Sequence, residues 1–423
     1  MSWLLIIPLM IVCLFLNIRV YLAMFIGIIA YFLFFSNVPI EIAVQRLIAP
    51  TQSPSLLAIP FFILLGTLMS YTGIAERILH IANVLVGKMR GGLGVANILV
   101  STMMGGVSAS NLADAAMLSR MMVPEMERKG YNRAFAAAIT AGGSLVTPII
   151  PPGIALIIYG LVADVSIGKM FIAGLVPGLL CAVVLMFTVY LVARKTNAKP
   201  SRESWPTGKE VVFSLGQAWP ALFLIFAVVG GIRANIFTPT EAGAAAVLIV
   251  LAIGFFIYRE MRISHVVKAL GETARATASV MLVIMASAAL GWIFSMEHAG
   301  VAVANFVTSL TENKYMFLLI INILLLTLGM FLEGNAILLI LVPLLKPVVE
   351  HFGIDPVHFG IIMIFNLSIG AFTPPVGTVM LLVCNITQVS VGNFFKQSLP
   401  LLAALLLMLM LVTYIPAISL FLV

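Results

Sequence analysis

The sequence has little charge and little cysteine. Only 9% of its 423 residues are charged and 62% are hydrophobic, whereas a soluble protein carries roughly 25% charged residues. No hydrophilic tract could house a nucleotide-binding domain and no G-x-x-x-x-G-K-[ST] loop occurs, so ATP is not the evident energy source. Cys13, Cys181 and Cys384 lie in separate apolar segments without a C-x-x-C pair. This spacing is typical of small hydrophobic side chains rather than of a disulfide or metal framework.

Apolar runs long enough to cross a membrane recur from one end of the chain to the other, and the mean hydropathy is +1.16. We therefore predict an all-α polytopic membrane protein. The net charge of +7 comes from bases in short loops between spans, which indicates membrane topology rather than nucleic-acid binding. The first apolar stretch (4–16) lacks a basic leader and runs into a second span, so we expect a retained anchor rather than a cleaved signal peptide.

The apolar stretch 91–119 is interrupted by Gly105-Gly106 and by the polar residues that follow. One crossing takes about 20 helical residues, so about 30 residues are too many for one comfortable span and too few for two. Irregular backbone at membrane depth is tolerated only where protein or a wet cavity satisfies its polar groups. We predict a re-entrant helical hairpin here; a long tilted helix with a flexible glycine pair is the alternative.

A second copy of this arrangement follows about 224 residues later. Three pairs of segments match at nearly constant spacing: Asn97-Ile98-Leu99 with Asn322-Ile323-Leu324, Pro151-Pro152 with Pro374-Pro375, and Val165-Ser166-Ile167-Gly168 with Val389-Ser390-Val391-Gly392. The period is too long for a solenoid, so the chain is interpreted as a duplicated half-protein. Each half is predicted to contain a hairpin (91–119 and 315–345) followed by a broken membrane helix (132–163 and 357–389).

The distribution of Lys and Arg predicts the orientation. If the outer ends of the first hairpin face the cytoplasm, most of the 23 basic residues lie in cytoplasmic segments, and the other side keeps only Arg46, Lys169, Arg233, Lys314 and Lys346. Positive charge favours the inside. Both termini are then periplasmic, the second hairpin opens outward, and the two repeats are inverted with respect to the membrane.

Inverted repeats with broken helices are typical of secondary transporters that bind their substrate near the membrane midplane. Because proline has no N–H, the carbonyl one turn before it loses its helical partner. Carbonyl oxygens suit a small hard cation, and the C-terminal end of a half-helix favours positive charge. We infer one Na⁺ site per repeat. The expected free carbonyls are those of Gly142, Gly143, Ser144 and Val146, and of Ser368, Gly370, Ala371 and Thr373.

The hairpin tips supply the other candidate residues. They are Ser108, Ser110 and Asn111 in the first tip and Glu333 and Asn335 in the second. We expect the substrate between the two tips, where half-helix N-termini and amide side chains suit an anionic group. The predicted substrate-binding residues are Ser110, Asn111, Glu333, Asn335, Thr147, Pro152 and Pro375.

Each of these features also has a simpler interpretation. A proline in a membrane helix is often only a kink, and serine or glycine often serves close packing. Asp114 is either functional or paired structurally on the return arm of its hairpin, and Glu241 is expected to cap a helix. An intramembrane hydrolase using Asp114 and Glu333 is the alternative from another class, but no H-E-x-x-H motif and no nucleophile–base pair is evident.

The Gly-Gly-Val-Ser-Ala-Ser tip, the break from Gly142-Gly143-Ser144 to Pro151-Pro152 and the break Thr373-Pro374-Pro375-Val376-Gly377 together resemble one family. It is the large membrane subunit of tripartite ATP-independent periplasmic (TRAP) transporters, and the resemblance covers essentially the whole chain. It implies the ion-transporter superfamily fold, in which a mobile domain with both hairpins moves as an elevator against a fixed scaffold. The cation sites that it implies map onto Ser108, Gly143, Val146 and Pro148, and onto Gly329, Ser368, Gly370 and Thr373.

The resemblance also implies a function in the bacterial inner membrane. It implies uptake of an organic acid that a periplasmic binding protein delivers, driven by two or more Na⁺ ions and completed by a separate small four-helix membrane subunit. A carrier or exchanger of the same superfamily that needs no binding protein is the alternative. Ala109 stands where many relatives have glycine, which could mark a substrate subclass. The expected division is 1–54 (N-terminal scaffold), 55–180 (repeat 1), 181–276 (linking scaffold and a surface helix) and 277–423 (repeat 2).

Overall fold

The computed structural model describes residues 3–16, 18–36, 38–108, 110–195, 199–202 and 204–423. Over these residues the regular elements are helices, as predicted. The first half contains α1 (Trp3–Phe15), α2 (Val20–Phe34), α3 (Ile40–Ile48), α4 (Ala58–Met69), α5 (Ile74–Val86), α6 (Gly92–Ser108), α7 (Asn111–Arg128), α8 (Arg133–Ser144), α9 (Ile154–Val162) and α10 (Ile167–Lys195). The second half contains α11 (Gly208–Arg233), α12 (Pro239–Ala252), α13 (Ile263–Met296), α14 (Ala299–Leu310), α15 (Lys314–Phe331), α16 (Gly334–His351), α17 (Pro356–Phe372), α18 (Thr378–Thr387), α19 (Val391–Tyr414) and α20 (Ala417–Leu420).

The helices have the length and composition of a multi-span membrane protein. Among the described residues, 7 helices are long and apolar enough to cross a membrane. The consecutive segments Ile40–Gln52 and Pro54–Met69, bent by 62° at their junction, would bring the number to 8 if they act as one span. Large apolar side chains such as Phe226 and Leu248 are exposed on the outside of the bundle, as expected for a surface in contact with lipid.

Two helices joined by a short turn occur at each predicted hairpin, and an interruption occurs at each predicted helix break. That the hairpins are re-entrant stays a prediction, since α15 and α16 are each long and apolar enough to cross a membrane. The first hairpin pairs α6 with α7, although α7 continues through Pro124 to Arg128, beyond the predicted end at 119. The second pairs α15 with α16. The breaks separate α8 from α9 and α17 from α18, and each contains a cis Pro-Pro peptide bond, Pro151–Pro152 and Pro374–Pro375.

The sequence-based division of residues 259–296 was wrong. We expected a surface helix up to 276 and a separate span after it, but α13 is one continuous helix of 34 residues. The segment contains no proline, and its internal Gly271 lies in open space and does not end the helix. At ~1.5 Å per residue the helix is about 51 Å long, which exceeds the ~30 Å hydrocarbon layer, so the charged first half extends out of the apolar layer.

Helices of the two halves contact each other in corresponding pairs. The return arm α7 packs against α18 as α16 packs against α9, and α8 packs against α19 as α17 packs against α10. The hairpins and broken helices therefore form one body. Such reciprocal contacts are those expected of duplicated halves related by an approximate twofold axis. The inversion in the membrane, the boundaries at 54, 180 and 276, and the elevator movement stay predictions.

A second, smaller hydrophobic cluster lies beside this body. It joins the N-terminal helices to the second half of α13 through side chains such as Ile6, Met24, Ala43 and Leu290. The larger cluster contains most of the remaining helices, including the hairpins and broken helices. The small cluster also contains Leu344 of α16, so α13 and α16 meet where the two clusters adjoin.

The contact between α9 and α17 gives a stability prediction. A Cβ atom at Gly360 would lie 2.4 Å from Cε1 of Tyr159, whose hydroxyl donates a hydrogen bond to the Pro356 carbonyl at 2.6 Å. Gly360→Ala should therefore lower the free energy of unfolding by about 1–3 kcal/mol through overpacking. The measurement is thermal unfolding of the purified protein in detergent. Gly271→Ala, where a Cβ has nothing within 4 Å, is the matched control and should be neutral or stabilising; equal melting temperatures for the two variants would contradict this account.

Candidate functional site

The first break is a tightened turn rather than a gap in the hydrogen bonding. Val146 N–H donates to the Gly143 carbonyl at 3.1 Å, Thr147 N–H to Ser144 at 3.3 Å, and Ile149 N–H to Val146 at 3.1 Å. The expectation of free carbonyls at Gly142, Gly143, Ser144 and Val146 was therefore wrong in part, because each accepts a bond from a residue three positions later. A carbonyl oxygen has two lone pairs, so Gly142, Gly143 and Ser144 each retain an acceptor site. The Val146 carbonyl accepts a second N–H, from Ile150 at 3.1 Å.

The first hairpin is fixed to this break by its backbone and by a buried carboxylate. A Cβ atom at Gly105 would lie 2.9 Å from the Cα atom of Thr147, so only glycine allows α6 to approach this closely. The Thr147 hydroxyl donates a hydrogen bond of 2.7 Å to Oδ2 of Asp114 on α7. Asp114 is 1% exposed, and this bond identifies a structural role for it. Gly143 packs on the same hairpin, its Cβ position 2.9 Å from the Ser101 hydroxyl oxygen.

The second hairpin meets its break at the corresponding position, where the two backbones approach each other closely. A Cβ atom at Gly370 would lie 2.6 Å from the Cα atom of Gly329. Gly377 has a φ of +35° and donates its N–H to the Met330 carbonyl at 2.9 Å. The backbones of α15 and α17 therefore touch, which explains why glycine occupies both positions.

Both hairpin tips are capped by their own polar side chains. Ser110 Oγ accepts the N–H of Ala113 at 3.3 Å and so caps α7. At the second tip, Glu333 Oε1 accepts from the N–H and the amide of Asn335, and Oε2 accepts from the N–H of Ala336 at 3.1 Å. The Glu333 carboxylate thus lies at the positive end of α16, which offsets its charge.

The two tips and the two breaks enclose one cavity of about 130 Å³. Six of the predicted site residues line it: Ser110, Asn111, Pro148, Glu333, Asn335 and Ser368. The structure therefore brings together residues that are more than 250 positions apart in the sequence, as the duplicated arrangement predicts.

Four helices begin at this cavity. Its lining includes the first residues of each: Asn111 of α7, Ile154 of α9, Gly334 of α16 and Thr378 of α18. Each N-terminus presents N–H groups without partners in its own helix and a partial positive charge. No lysine or arginine is among the described residues that line the cavity. Ser110 and Glu333 already accept N–H groups at the starts of α7 and α16, whereas the N-termini of α9 and α18 have no side-chain cap.

Other predicted residues lie behind the cavity or outside the described part. Gly143, Val146 and Thr147 are buried in the packing of the first repeat, and Gly329 and Gly370 are in contact in the second. The Thr373 hydroxyl donates to the Ile369 carbonyl at 2.8 Å, which leaves lone pairs on its oxygen. Pro152 and Pro375 do not line this cavity. The Ser108 side chain and all of Ala109 lie outside the described residues.

Sequence reasoning missed several residues that the structure places at or near the site. Ile154 and Thr378 line the cavity but carry no distinctive sequence signal; their position directly after a predicted break could have identified them. Buried asparagines were also missed as links between hairpin and broken helix. Asn97 donates to the Thr140 hydroxyl and Asn366 donates to Asn322 Oδ1, each at 2.7 Å.

Comparison with known proteins agrees with this geometry. Residues 7–418 match the family described as "Tripartite ATP-independent periplasmic transporter, DctM component". The chain belongs to this family. The DctM component is a transporter permease, so the prediction that the chain is not an enzyme is confirmed.

Two curated relatives of this DctM component illustrate the similarity. The chain is 38% identical to the sialic acid TRAP transporter large permease protein SiaM of Vibrio cholerae, over 93% of this chain and 92% of the relative. It is 37% identical to the C4-dicarboxylate TRAP transporter large permease protein DctM of Pseudomonas aeruginosa, over 92% of this chain and 90% of the relative. The prediction that the chain is a TRAP large permease is thereby confirmed.

A solved structure supports the fold of this DctM component. The chain resembles the crystal structure of the Alcanivorax borkumensis YdaH transporter with a TM-score of 0.58, over 90% of this chain and 89% of that one. The two sequences are 15% identical. At this level of identity the comparison concerns the fold alone.

The bond between Thr147 and Asp114 gives a testable prediction for the DctM component. Asp114→Ala should lower the free energy of unfolding by about 1–3 kcal/mol because it removes the acceptor of a buried hydroxyl. Thr147→Val should have a similar effect, and the double variant should lose less than the sum. The measurement is unfolding in mixed detergent micelles. The control is Ser119→Ala on the same helix, whose buried hydroxyl has no partner among the described residues; additive losses for the pair would count against direct coupling.

Proposed function

We propose that this permease couples the inward movement of Na⁺ to the uptake of an organic anion, which binds between the two hairpin tips. The observation that carries the proposal is the convergence of four helix N-termini on one cavity without lysine or arginine. Such a site attracts a carboxylate through backbone N–H groups. The names of the relatives, which specify C4-dicarboxylate and sialic acid, favour a carboxylate as the substrate class.

The proposed cation sites lie where helices end rather than begin. The helices α6, α8, α15 and α17 each end at a tip or a break, so the negative ends of their dipoles point there. Carbonyl oxygens with a remaining lone pair, together with the hydroxyls of Ser108, Ser368 and Thr373, are oxygen ligands of the type that a small hard cation takes. We assign Gly143, Val146 and Pro148 to the first site and Gly329, Ser368, Gly370 and Thr373 to the second.

Binding of the substrate requires the tips to separate. A cavity of about 130 Å³ is smaller than the ~300–1,000 Å³ of ordinary ligand pockets. Glu333 and Asn335 also line a second cavity of about 420 Å³ together with Arg19, which belongs to the predicted cytoplasmic side. Because Glu333 and Asn335 line both the central cavity and the cavity that reaches Arg19, we infer that the described conformation is the one that releases substrate to the cytoplasm.

The proposed transport cycle includes two partners and an elevator movement. A periplasmic binding protein delivers the anion, and a small four-helix membrane subunit completes the scaffold, as expected for a tripartite family. The body with both hairpins then moves against α1, α2, α3 and α13, which share the smaller hydrophobic cluster. We place the complex in the bacterial inner membrane with both termini of this chain in the periplasm.

The proposal is tested by uptake into proteoliposomes that contain the permease and the small subunit. The binding protein and a labelled acid, chosen by a thermal-shift screen of that binding protein, are supplied outside. Uptake should require both the binding protein and an inward Na⁺ gradient. Unchanged uptake after the gradient is abolished would refute the coupling, and uptake without binding protein would favour an independent carrier.

A hydroxyl at the second break gives a sharper prediction. Thr373→Ala should raise the Na⁺ concentration for half-maximal uptake by about fivefold or more, because one oxygen ligand is lost. Thr327→Ala on α15 is the matched control. The Thr327 hydroxyl also donates to the carbonyl four residues earlier, that of Ile323, at 2.7 Å, but Thr327 is exposed on the outside of the helix. Equal Na⁺ dependence in the two variants would remove the Thr373 side chain from the site.

A further inference from the structure

The interface between α13 and α16 joins the two hydrophobic clusters. The helix α13 contacts α2 and α3 of the N-terminal part. It also contacts α16, the return arm of the second hairpin, whose Leu344 belongs to the smaller cluster. Under the proposed function, α13 belongs to the fixed part and α16 to the moving part, so this interface must change during each transport cycle.

The helix α16 presents an acceptor group that its own backbone cannot satisfy. It contains Pro343 and Pro347 in its interior. Because Pro343 has no N–H, the carbonyl of Leu339 lacks the donor that an uninterrupted helix would provide four residues later. Leu339 is 2% exposed, so solvent does not supply a donor either.

A serine of α13 supplies the missing donor. The Ser287 hydroxyl donates a hydrogen bond to the Leu339 carbonyl across the interface. Ser287 is itself 2% exposed. If the bond breaks, the Ser287 hydroxyl can turn to a carbonyl of its own helix, but the Leu339 carbonyl is left without a donor in α16.

Cavities lie on both sides of this bond. One, of about 420 Å³, is lined by Ser279 and Val283 of α13 and by Leu339. The other, of about 500 Å³, is lined by Ser287, Gly291 and Pro343. The Ser287–Leu339 bond therefore lies between two cavities. A Cβ atom at Gly291 of α13 would lie 3.5 Å from Pro343 of α16, so the residues that face each other here are small.

We propose that the Ser287 hydroxyl and the Leu339 carbonyl form a latch that holds the permease in this conformation. The proposal rests on the proposed elevator movement. When α16 moves along α13, the bond breaks and the Leu339 carbonyl loses its donor, because Pro343 cannot replace it. Ser287 is accordingly a positioning residue: it touches neither substrate nor cation, and it sets the equilibrium between conformations.

The test measures this equilibrium in the complete chain with its small subunit in nanodiscs. Spin labels at Ser295→Cys and Glu350→Cys, which line the same cavity from α13 and α16, report the distance between the two parts. The three natural cysteines are buried and are replaced. Ser287→Ala should lower the ratio of this conformation to the other about fivefold, the factor expected for a hydrogen bond of average net strength. Pro343→Ala, which restores an N–H to α16, should act in the same direction.

Two matched variants serve as controls. Ser279→Ala removes a hydroxyl of α13 that bonds to the Arg275 carbonyl of its own helix at 3.2 Å, and Pro347→Ala removes the other internal proline of α16. Both should leave the ratio within twofold of the parent. The double variant Ser287→Ala/Pro343→Ala should show no further loss beyond either single change.

Two outcomes separate the latch from the transport mechanism. Suppose that the parent shows two distance populations that respond to Na⁺, but that Ser287→Ala has the same population ratio as Ser279→Ala. The latch proposal is then wrong, and the elevator movement is retained. If the parent shows one distance under all conditions, the latch and the elevator movement are both overturned. The Na⁺ concentration for half-maximal uptake should change in Ser287→Ala by no more than the ratio of conformations does, since the residue lies away from the proposed cation sites.

Discussion

The organisation of this permease depends on one constraint: a backbone polar group at membrane depth must find a partner inside the protein. A continuous helix meets the constraint without help, whereas each interruption leaves N–H and carbonyl groups to be satisfied. The chain concentrates its interruptions in two hairpin tips and two proline breaks and packs them against each other. Gly105 against Thr147 and Gly329 against Gly370 bring the backbones close enough for this. The candidate site is therefore also a place where the fold requires specific packing.

The two halves satisfy the constraint by different means. In the first, the buried Asp114 carboxylate accepts a bond from Thr147 and joins α7 to the break. In the second, the Gly377 N–H donates to the Met330 carbonyl, and the tip carries its own cap through Glu333. The two halves have similar backbone arrangements, but different groups make the hydrogen bonds that hold each hairpin to its break. The cavity between them consequently has one acidic tip and one neutral tip.

The sequence predicts the large features well because glycine and proline report directly on backbone geometry. The positions of both hairpins, both breaks and six cavity-lining residues follow from Gly105-Gly106, Pro151-Pro152 and their counterparts. Other features depend on tertiary contacts that leave no local pattern. The continuity of α13 across 276 is one, since its polar first half and apolar second half resemble two separate elements. The bond between Ser287 and Leu339 is another, because a serine in a membrane helix gives no indication of which carbonyl it meets.

The absence of lysine and arginine from the described lining of the central cavity has a consequence for how such a protein diversifies. Peptide dipoles do not titrate, and they persist whatever side chain a codon change introduces. Under the proposed function, the attraction for negative charge comes from the backbone path, and replaceable lining groups such as Asn111 and Thr378 would read the shape of the bound molecule. On that proposal, a point substitution at such a position would exchange one acid for another and keep the same electrostatic framework.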